Sequence, residues 1–415
     1  MRMWVYVVRR AILVIPVVIG VMTVLFVLIS ALPVNQRACS FAPPSGRASP
    51  CSPTIPCPTP TNPNAICPNP VYLRAISALG LDKPIPVQWA IYMGNALIFN
   101  WGYVSDGSAL GTGNSPAGLP KLAGEPVITV VGQFLPYTLE LAMLSLLFIL
   151  IIALPLGNLS AVYRNRPIDQ ASRVMSFSGF AIPSFLLGTF ALIAAVYAFG
   201  GPAVHSPICG SQNTAFLDLW GSWPNPPCVP LYGTTNISPI GYPNWIQSGY
   251  ISTPTGFPTL DAAIHGQYWL ALDTVLRLII PALVIAYGTV AILLRFVRNS
   301  MLEVMSLDYI RTARAKGLPE SQVIKKHAGR NSLNVTITVL GLVFAGFITG
   351  FPVIESVFNL WGLGRLYAYA VVGNPKDWDF GILFGTTLLF TYLVVVANII
   401  VDILYAYLDP RVRLG

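Results

Sequence analysis

Charge is what this sequence has least of. Only 10% of its 415 residues are Asp, Glu, Lys or Arg, against about a quarter in a soluble domain. A bilayer penalises charge, so a chain this poor in it belongs in one. Histidine is scarcer still. His205, His265 and His327 are the three, and they form no H-E-x-x-H or comparable set, so no metal site and no catalytic residue is expected. For His327 a packing or partner role outweighs catalysis. No Ser/His/Asp arrangement stands out either. None of the six lysines follows a glycine, so the chain lacks the G-x4-G-K-[ST] loop and cannot cradle nucleotide phosphates that way. There is no cofactor site to propose within it. Internal repeats are also missing, which counts against an inverted-repeat secondary transporter. So is a chain of ionisable groups deep in the apolar runs. Glu140, Arg277 and Asp402 lie near the ends of theirs, and Asp273 and Arg277 have the i,i+4 spacing of a helical ion pair.

Apolar residues are abundant, at 54%. Crossing a hydrocarbon core of ~30 Å takes about 20 apolar residues in a helix, and six runs reach that length: Ala11–Leu32, Phe134–Leu156, Val174–Phe199, Leu270–Phe296, Leu333–Ile354 and Phe380–Tyr405. Backbone polar groups in a bilayer must be satisfied internally, so these runs are helices. The expected fold class is an all-α integral membrane protein of six transmembrane helices. The first run follows Arg9 and Arg10 like a signal peptide, but it is too long, and no A-x-A-like site follows it.

Six spans put both termini on one side. That side carries sixteen of the 24 basic residues, although its loops are the shorter ones. The positive-inside rule therefore places both termini in the cytoplasm of a multi-pass cell-membrane protein. The basic residues orient the chain; they do not mark a nucleic-acid surface. The organisation is then 1–33, N-terminus and first helix; 34–133, an outer loop; 134–199, second and third helices; 200–269, a second outer insertion; 270–409, fourth to sixth helices with an inner loop at 299–332; and 410–415, a short tail.

All six cysteines, Cys39, Cys51, Cys57, Cys67, Cys209 and Cys228, fall in the two outer loops. An even number on an oxidising side points to disulfides. Cys209 and Cys228 share a loop and can pair, while the other four allow three pairings. The segment Val34–Pro70 has too few apolar residues for a core of its own and reads as an extended, stapled insertion. Gly200–Gly266 has the same Pro/Gly/Asn/Ser character, and holds Trp220, Trp223 and Trp245 besides the weak sequon at Asn236. A lid, a docking surface, an interfacial belt and a small self-packed subdomain all suit it.

The informative inner segment is 299–332. Residues Asp308–Lys316 suit a helix, Gly317 suits its end, and Pro319 discourages continuation. A second helical stretch is expected over Glu320–Ala328. Small side chains at Thr312, Ala313 and Ala315 let such a helix seat in a partner's groove. An amphipathic helix resting on anionic headgroups explains it as well. In the fifth run, Gly346-x3-Gly350 forms a small-x3-small face for close helix approach. It suits a partner interface, the pore or an internal contact. Pro183, Pro281 and Gly288 are candidate kinks.

The segment Asp308-Tyr309-Ile310-Arg311-Thr312-Ala313-Arg314-Ala315-Lys316-Gly317-Leu318, followed by His327-Ala328-x-Arg330-Asn331, resembles the EAA loop of ABC-transporter permeases, and more narrowly that of the dipeptide/oligopeptide permease family. Further motifs follow in the family's order. They are Arg9-Arg10 with Leu32-Pro33, then Leu79-Gly80-Leu81-Asp82-Lys83-Pro84-Ile85-Pro86-Val87-Gln88, then Leu135-Pro136-x-Thr138-Leu139-Glu140-Leu141. After these come Ile182-Pro183-Ser184-Phe185, Glu355-x-Val357-Phe358-x3-Gly362-Leu363-Gly364 and the terminal Asp409-Pro410-Arg411-Val412-Arg413. The sequence departs from the family in three ways. Arg311-Thr312 stands where the general pattern has Glu-Ala, Asn334 stands where a proline is usual, and both outer insertions are larger.

The resemblance implies the architecture of a type I importer permease. It implies a second, related permease as partner, two ATPase subunits that bind ATP and Mg, and a solute-binding protein outside, all within membrane lipid. Asp308, Tyr309, Arg311, Thr312, Ala313, Ala315, Lys316 and Gly317 would form the helix coupling this chain to an ATPase. Pro183, Ser184, Gly346 and Gly350 are helix-packing or pore candidates. The solute would be a di- or oligopeptide first, an oligosaccharide next. The competing readings are a stand-alone secondary transporter or channel, and an intramembrane enzyme or receptor.

Overall fold

A computed structural model describes residues 3–41, 53–56, 66–105, 122, 124–199, 254–329, 332, 351–371 and 378–408. They form two compact units. One comprises residues 4–135 and 365–396; the other comprises 1–3, 136–364 and 397–415.

The first unit begins with α1 (Met3–Ser30), which is apolar over Ile15–Ser30. A short helix α2 (Val34–Phe41) follows. The sequence suggested an extended chain here, but helical geometry lets Ala38 bury itself against Ala75 and lets the Tyr72 hydroxyl donate to Asn35 Oδ1 at 2.7 Å. Strands β1 (Thr54–Pro56) and β2 (Ile66–Pro68) pair antiparallel, with Ile55 opposite Cys67. Helix α3 (Pro70–Leu79) starts where the Asn69 side chain accepts the Val71 and Tyr72 amides, and ends at Gly80 with φ +62°. These are standard N- and C-terminal signals. Helix α4 (Ile85–Leu97) follows. Its Gln88 amide donates to Leu81 O at 3.3 Å and Lys83 O at 2.7 Å, which folds the D-K-P-I-P-V-Q turn onto itself.

Helix α5 (Val127–Val162) begins in this unit and continues beyond it. Near its start, Gly385 leaves room for Val127: a Cβ there would lie 2.4 Å from Val127 Cγ1. The unit closes with the end of α12 (Leu363–Ala370) and the first turns of α13 (Phe380–Leu408). Asp379 caps α13 by accepting the Ile382 amide at 3.0 Å, and its other oxygen accepts the Ser105 amide at 2.8 Å.

The second unit contains most of α5, then α6 (Pro167–Ala181), α7 (Ser184–Phe199), α8 (Pro258–Ile264), α9 (Tyr268–Met305), α10 (Asp308–Ala315) and α11 (Phe351–Val357). Small residues set its close contacts. A Cβ on Gly179 would lie 2.2 Å from Ala291 Cβ, so α6 and α9 touch nearly backbone to backbone. There Ser176 donates to Ala291 O at 2.8 Å. Asp273 and Arg277 pair at 3.0 Å, buried, as their spacing suggested.

Among the described residues α5, α9 and α13 are each long and apolar enough to cross a membrane. The expected single span Val174–Phe199 is instead two helices, α6 and α7, meeting at 108°. Pro183 is the cause. It lacks an amide proton, and it pushes the preceding residue out of the helical region; Ile182 lies at φ −94°, ψ 116°. The expected span Leu333–Ile354 lies outside the described residues except for its last four. So do the 200–253 part of the second insertion, Gly346 and Gly350, and the terminal motif.

Candidate functional site

Helix α9 has 38 residues, about 57 Å at 1.5 Å per residue, roughly twice a hydrocarbon core. Its first two-thirds are apolar. Its last turns carry Arg295, Arg298 and Glu303, charges that a hydrocarbon core penalises. Helix α10 hangs from that end. Ser306 and Leu307 break the helix, and α10 restarts at Asp308 with an acidic first turn, which favours the N-terminus.

Helix α10 is docked rather than dangling. Ile310 and Ala313 are buried, 0% and 6% exposed, in a cluster with Ala161 of α5, Met301 and Val304 of α9, and Val323 and Ala328. The two buried positions are three apart, one stripe of a helix. The remaining positions face out: Asp308, Tyr309, Arg311, Thr312, Arg314, Ala315 and Lys316 are exposed. Asp308 accepts from Arg311 at 3.4 Å, and the Thr312 hydroxyl donates to Asp308 O at 3.0 Å. Ala313, grouped with Thr312 and Ala315 as a partner-facing small residue on sequence grounds, is therefore spent inside the chain.

Gly317 ends α10 with φ +75°, a conformation that costs a side chain about 1–2 kcal/mol. Its amide donates to Arg314 O at 2.9 Å, and nothing lies within 4 Å of where a Cβ would be. Glycine is needed here for its backbone, not for space. Beyond the turn, Arg314 Nη2 donates to Glu320 at 2.7 Å and Nε at 3.1 Å. The carboxylate holds the Arg314 guanidinium above its ordinary pKa, and the guanidinium holds Glu320 below its own. The chain then passes through one turn at Glu320–Gln322 into a π-helical turn, Val323–Ala328. The sequence suggested an ordinary helix there; the wider turn brings Val323 and Ala328 onto the same cluster as Ile310.

A buried carboxylate braces this end. Asp169, fully buried, accepts from Arg298 Nε at 2.7 Å and Nη2 at 3.2 Å, from Arg173 Nη2 at 2.8 Å, and from the Ser160 hydroxyl at 2.9 Å. It also accepts the Asn165 amide at 2.9 Å, where the backbone turns through φ +63°. One side chain thus ties the end of α5, the connecting turn, α6 and the exit of α9. Sequence reasoning missed it. The available signal was an acid at the third position of a helix opened by Pro167, among the basic residues Arg164, Arg166 and Arg173.

A second buried carboxylate joins two of the quoted motifs. Glu355 accepts from the Thr138 hydroxyl at 2.7 Å and from the Gly364 amide at 2.6 Å, while Thr138 Oγ1 accepts the Leu363 amide at 2.8 Å. Glu140, just beyond Thr138, accepts the Thr259 amide at 3.1 Å. It makes a contact between helices α5 and α8.

Pro183 and Ser184 sit at the α6–α7 bend, with the exposed Phe185 beside them. The Pro183 carbonyl accepts the Leu186 and Leu187 amides at 3.0 and 3.1 Å and so starts α7. Cys67 lies on β2, and no free cysteine occurs among the described residues. The side chains of Cys39, Cys51, Cys57, Cys209 and Cys228 lie outside them. No group of three or more metal-ligating side chains occurs among the described residues.

The model of a family described as "binding-protein-dependent transport system inner membrane component" matches residues 153–414. The probable D,D-dipeptide transport system permease protein DdpB of Escherichia coli K12 is 34% identical over 337 residues, 81% of this chain and 83% of its own length. The oligopeptide transport system permease protein AppB of Bacillus subtilis 168 is 28% identical over 408 residues, 98% of this chain and 99% of its own. The dipeptide transport system permease protein DppB of Haemophilus influenzae is 30% identical over 289 residues, 70% and 74%.

Proposed function

The chain belongs to the inner-membrane components of binding-protein-dependent transport systems and is a permease subunit of an ABC importer; from that premise we propose that it moves di- or oligopeptides and is driven through α10. The solute assignment is supported by its relatives, which are permease proteins of dipeptide and oligopeptide transport systems. Oligosaccharides are the next candidate.

The observation that carries the coupling role is the division of α10. One stripe, Ile310 and Ala313, is locked to α5 and α9. The other face presents Asp308, Arg311, Thr312, Ala315 and Lys316, all exposed. A helix so held moves as one body with the long helices behind it. A groove in an ATPase that closes on ATP and Mg would drag α9, and with it the α6 helix packed against α9, between inward- and outward-facing arrangements, a rigid-body transition. This reading includes two ATPase subunits, a second permease and a solute-binding protein. It includes six spans with both termini inside, and disulfides in the outer loops.

The test is Ala315→Trp in the reconstituted importer. The substitution leaves the buried stripe untouched and blocks the outward one. Solute-stimulated ATP hydrolysis should fall by about tenfold or more, the loss of one well-packed contact, while the chain inserts normally. A cysteine at position 315 should cross-link to the ATPase. Unchanged stimulation with no cross-link would refute coupling through this face of α10, and transport by this chain alone in ATP-free liposomes would favour a stand-alone transporter.

A further inference from the structure

Helix α9 carries no charge for about 27 Å between Arg277 and Arg295, close to the thickness of a hydrocarbon core. Tyr287 and Gly288 stand near the middle of that stretch. The end of α6 is fixed at the same depth. Ser178 shares a hydrogen bond with the Tyr287 hydroxyl, and Ser176 donates to Ala291 O at 2.8 Å. The carbonyl of Gly179 lies 3.9 Å from where a Cβ on Gly288 would be. The 108° bend between α6 and α7 begins just beyond, at Ile182. The chain therefore breaks in the middle of the membrane and not at its surface.

A break at this depth bares backbone. Pro183 has no amide to offer the Gly179 carbonyl, and the turn carries the next groups past their partners. Among the described residues the carbonyls of Phe180, Ala181 and Ile182 accept from no backbone amide, and the amides of Ser184 and Phe185 donate to no carbonyl. The bend is also uncovered: Phe180, Ala181, Pro183, Ser184 and Phe185 are exposed. Exposure alone is compatible with lipid, but five unpaired backbone groups are not. Irregular backbone persists in the hydrocarbon region only where protein buries it or water reaches it. The chain itself leaves the bend open, so water is the solvent that satisfies it.

We propose that the α6–α7 bend faces the water-filled translocation pathway at mid-membrane, its bared carbonyls and amides hydrated between transport cycles and meeting the polar groups of the solute during them. The proposal rests on the importer reading given above. Main-chain groups suit a solute that offers amides of its own, and they take a peptide without regard to its side chains. Phe180 and Phe185, 59% and 54% exposed, flank these groups with apolar surface.

The assembled importer, held in nanodiscs that leave both faces open to reagent, carries Ser184→Cys or, on the other arm of the bend, Ala181→Cys. Each is treated with a charged methanethiosulfonate, which attacks thiolate; a thiol in hydrocarbon stays protonated and inert. Above the wild-type background, both positions should react within about tenfold of the exposed Ser306→Cys and at least about a hundredfold faster than the buried Ala282→Cys. The attached charge should stop solute uptake, and a transported dipeptide should slow the labelling. The proposal fails if neither position reacts, or if labelling leaves uptake unchanged. It fails too if the positions react only once the chain is separated from its partner permease, which would assign the bend to the contact between permeases. Protection by an oligosaccharide in place of a dipeptide would overturn the solute assignment and leave the bend in the pathway.

Discussion

Glu355 shows how much one side chain can organise. Glu355 and the Thr138 hydroxyl answer the amides of Gly364 and Leu363, so buried polar groups stitch the turn after α11 to α5. Gly362 and Gly364 make this possible. A Cβ on Gly362 would lie 2.3 Å from Glu355 Oε1, and one on Gly364 would lie 2.3 Å from Pro352 Cα. Gly362→Ala should therefore cost about 2 kcal/mol of stability by overpacking, seen as a lower melting temperature of the detergent-purified chain. Gly288→Ala, where the nearest atom is Gly179 O at 3.9 Å, should leave it unchanged. Asp169 makes the complementary case. Asp169→Asn leaves the Arg298 guanidinium, 14% exposed, without its carboxylate, and removing one partner of a buried pair costs about 3 kcal/mol. Adding Arg298→Met should recover much of that loss, and a double-mutant cycle on thermal denaturation measures it.

At the scale of elements, the 306–319 segment is built from local rules that the sequence displayed openly. Gly317 and Pro319 end α10 where expected, and Asp308 opens it. Gly317→Val forces a β-branched residue into a left-handed turn. It should cost about 1–2 kcal/mol locally and uncouple hydrolysis from transport without displacing α9, to be read as the ratio of solute moved to ATP consumed. The Arg314–Glu320 pair makes the turn sensitive to acid. Glu320 titrates below its ordinary range in the folded turn. Its contribution is therefore present above the unfolded-state pKa and is lost as pH falls through the lower, folded value. Backbone hydrogen exchange over 314–320, corrected for intrinsic rates, should accelerate on acidification below about pH 4, the ordinary carboxylate range. Glu320→Gln should remove that dependence. What the element-level pattern did not disclose was direction. Thr312, Ala313 and Ala315 are alike in size, and only the packing of Ile310 and Ala313 against Met301 and Val323 shows which of them is unavailable to a partner.

For the whole molecule, the decisive quantity is the length of apolar runs, and it makes a membrane protein of several spans unavoidable. If the chain has the proposed six spans with both termini inside, a cysteine placed at Ser306 should react with an impermeant maleimide only from the inner side, and one at Ser77 only from the outer side. Labelling of both from one side would overturn the topology.

By itself the sequence determined the habitat, the positions of α1, α5, α9, α10 and α13 to within a few turns, the Gly317 turn and the family, because apolar run length, proline, glycine and short motifs act over a few neighbouring residues. The tertiary structure alone decided that Thr138 meets Glu355 across 217 positions and that Asp169 reaches Arg298 across 129. These depend on where distant segments come to rest, and a buried carboxylate or guanidinium acquires its role only from the groups that surround it.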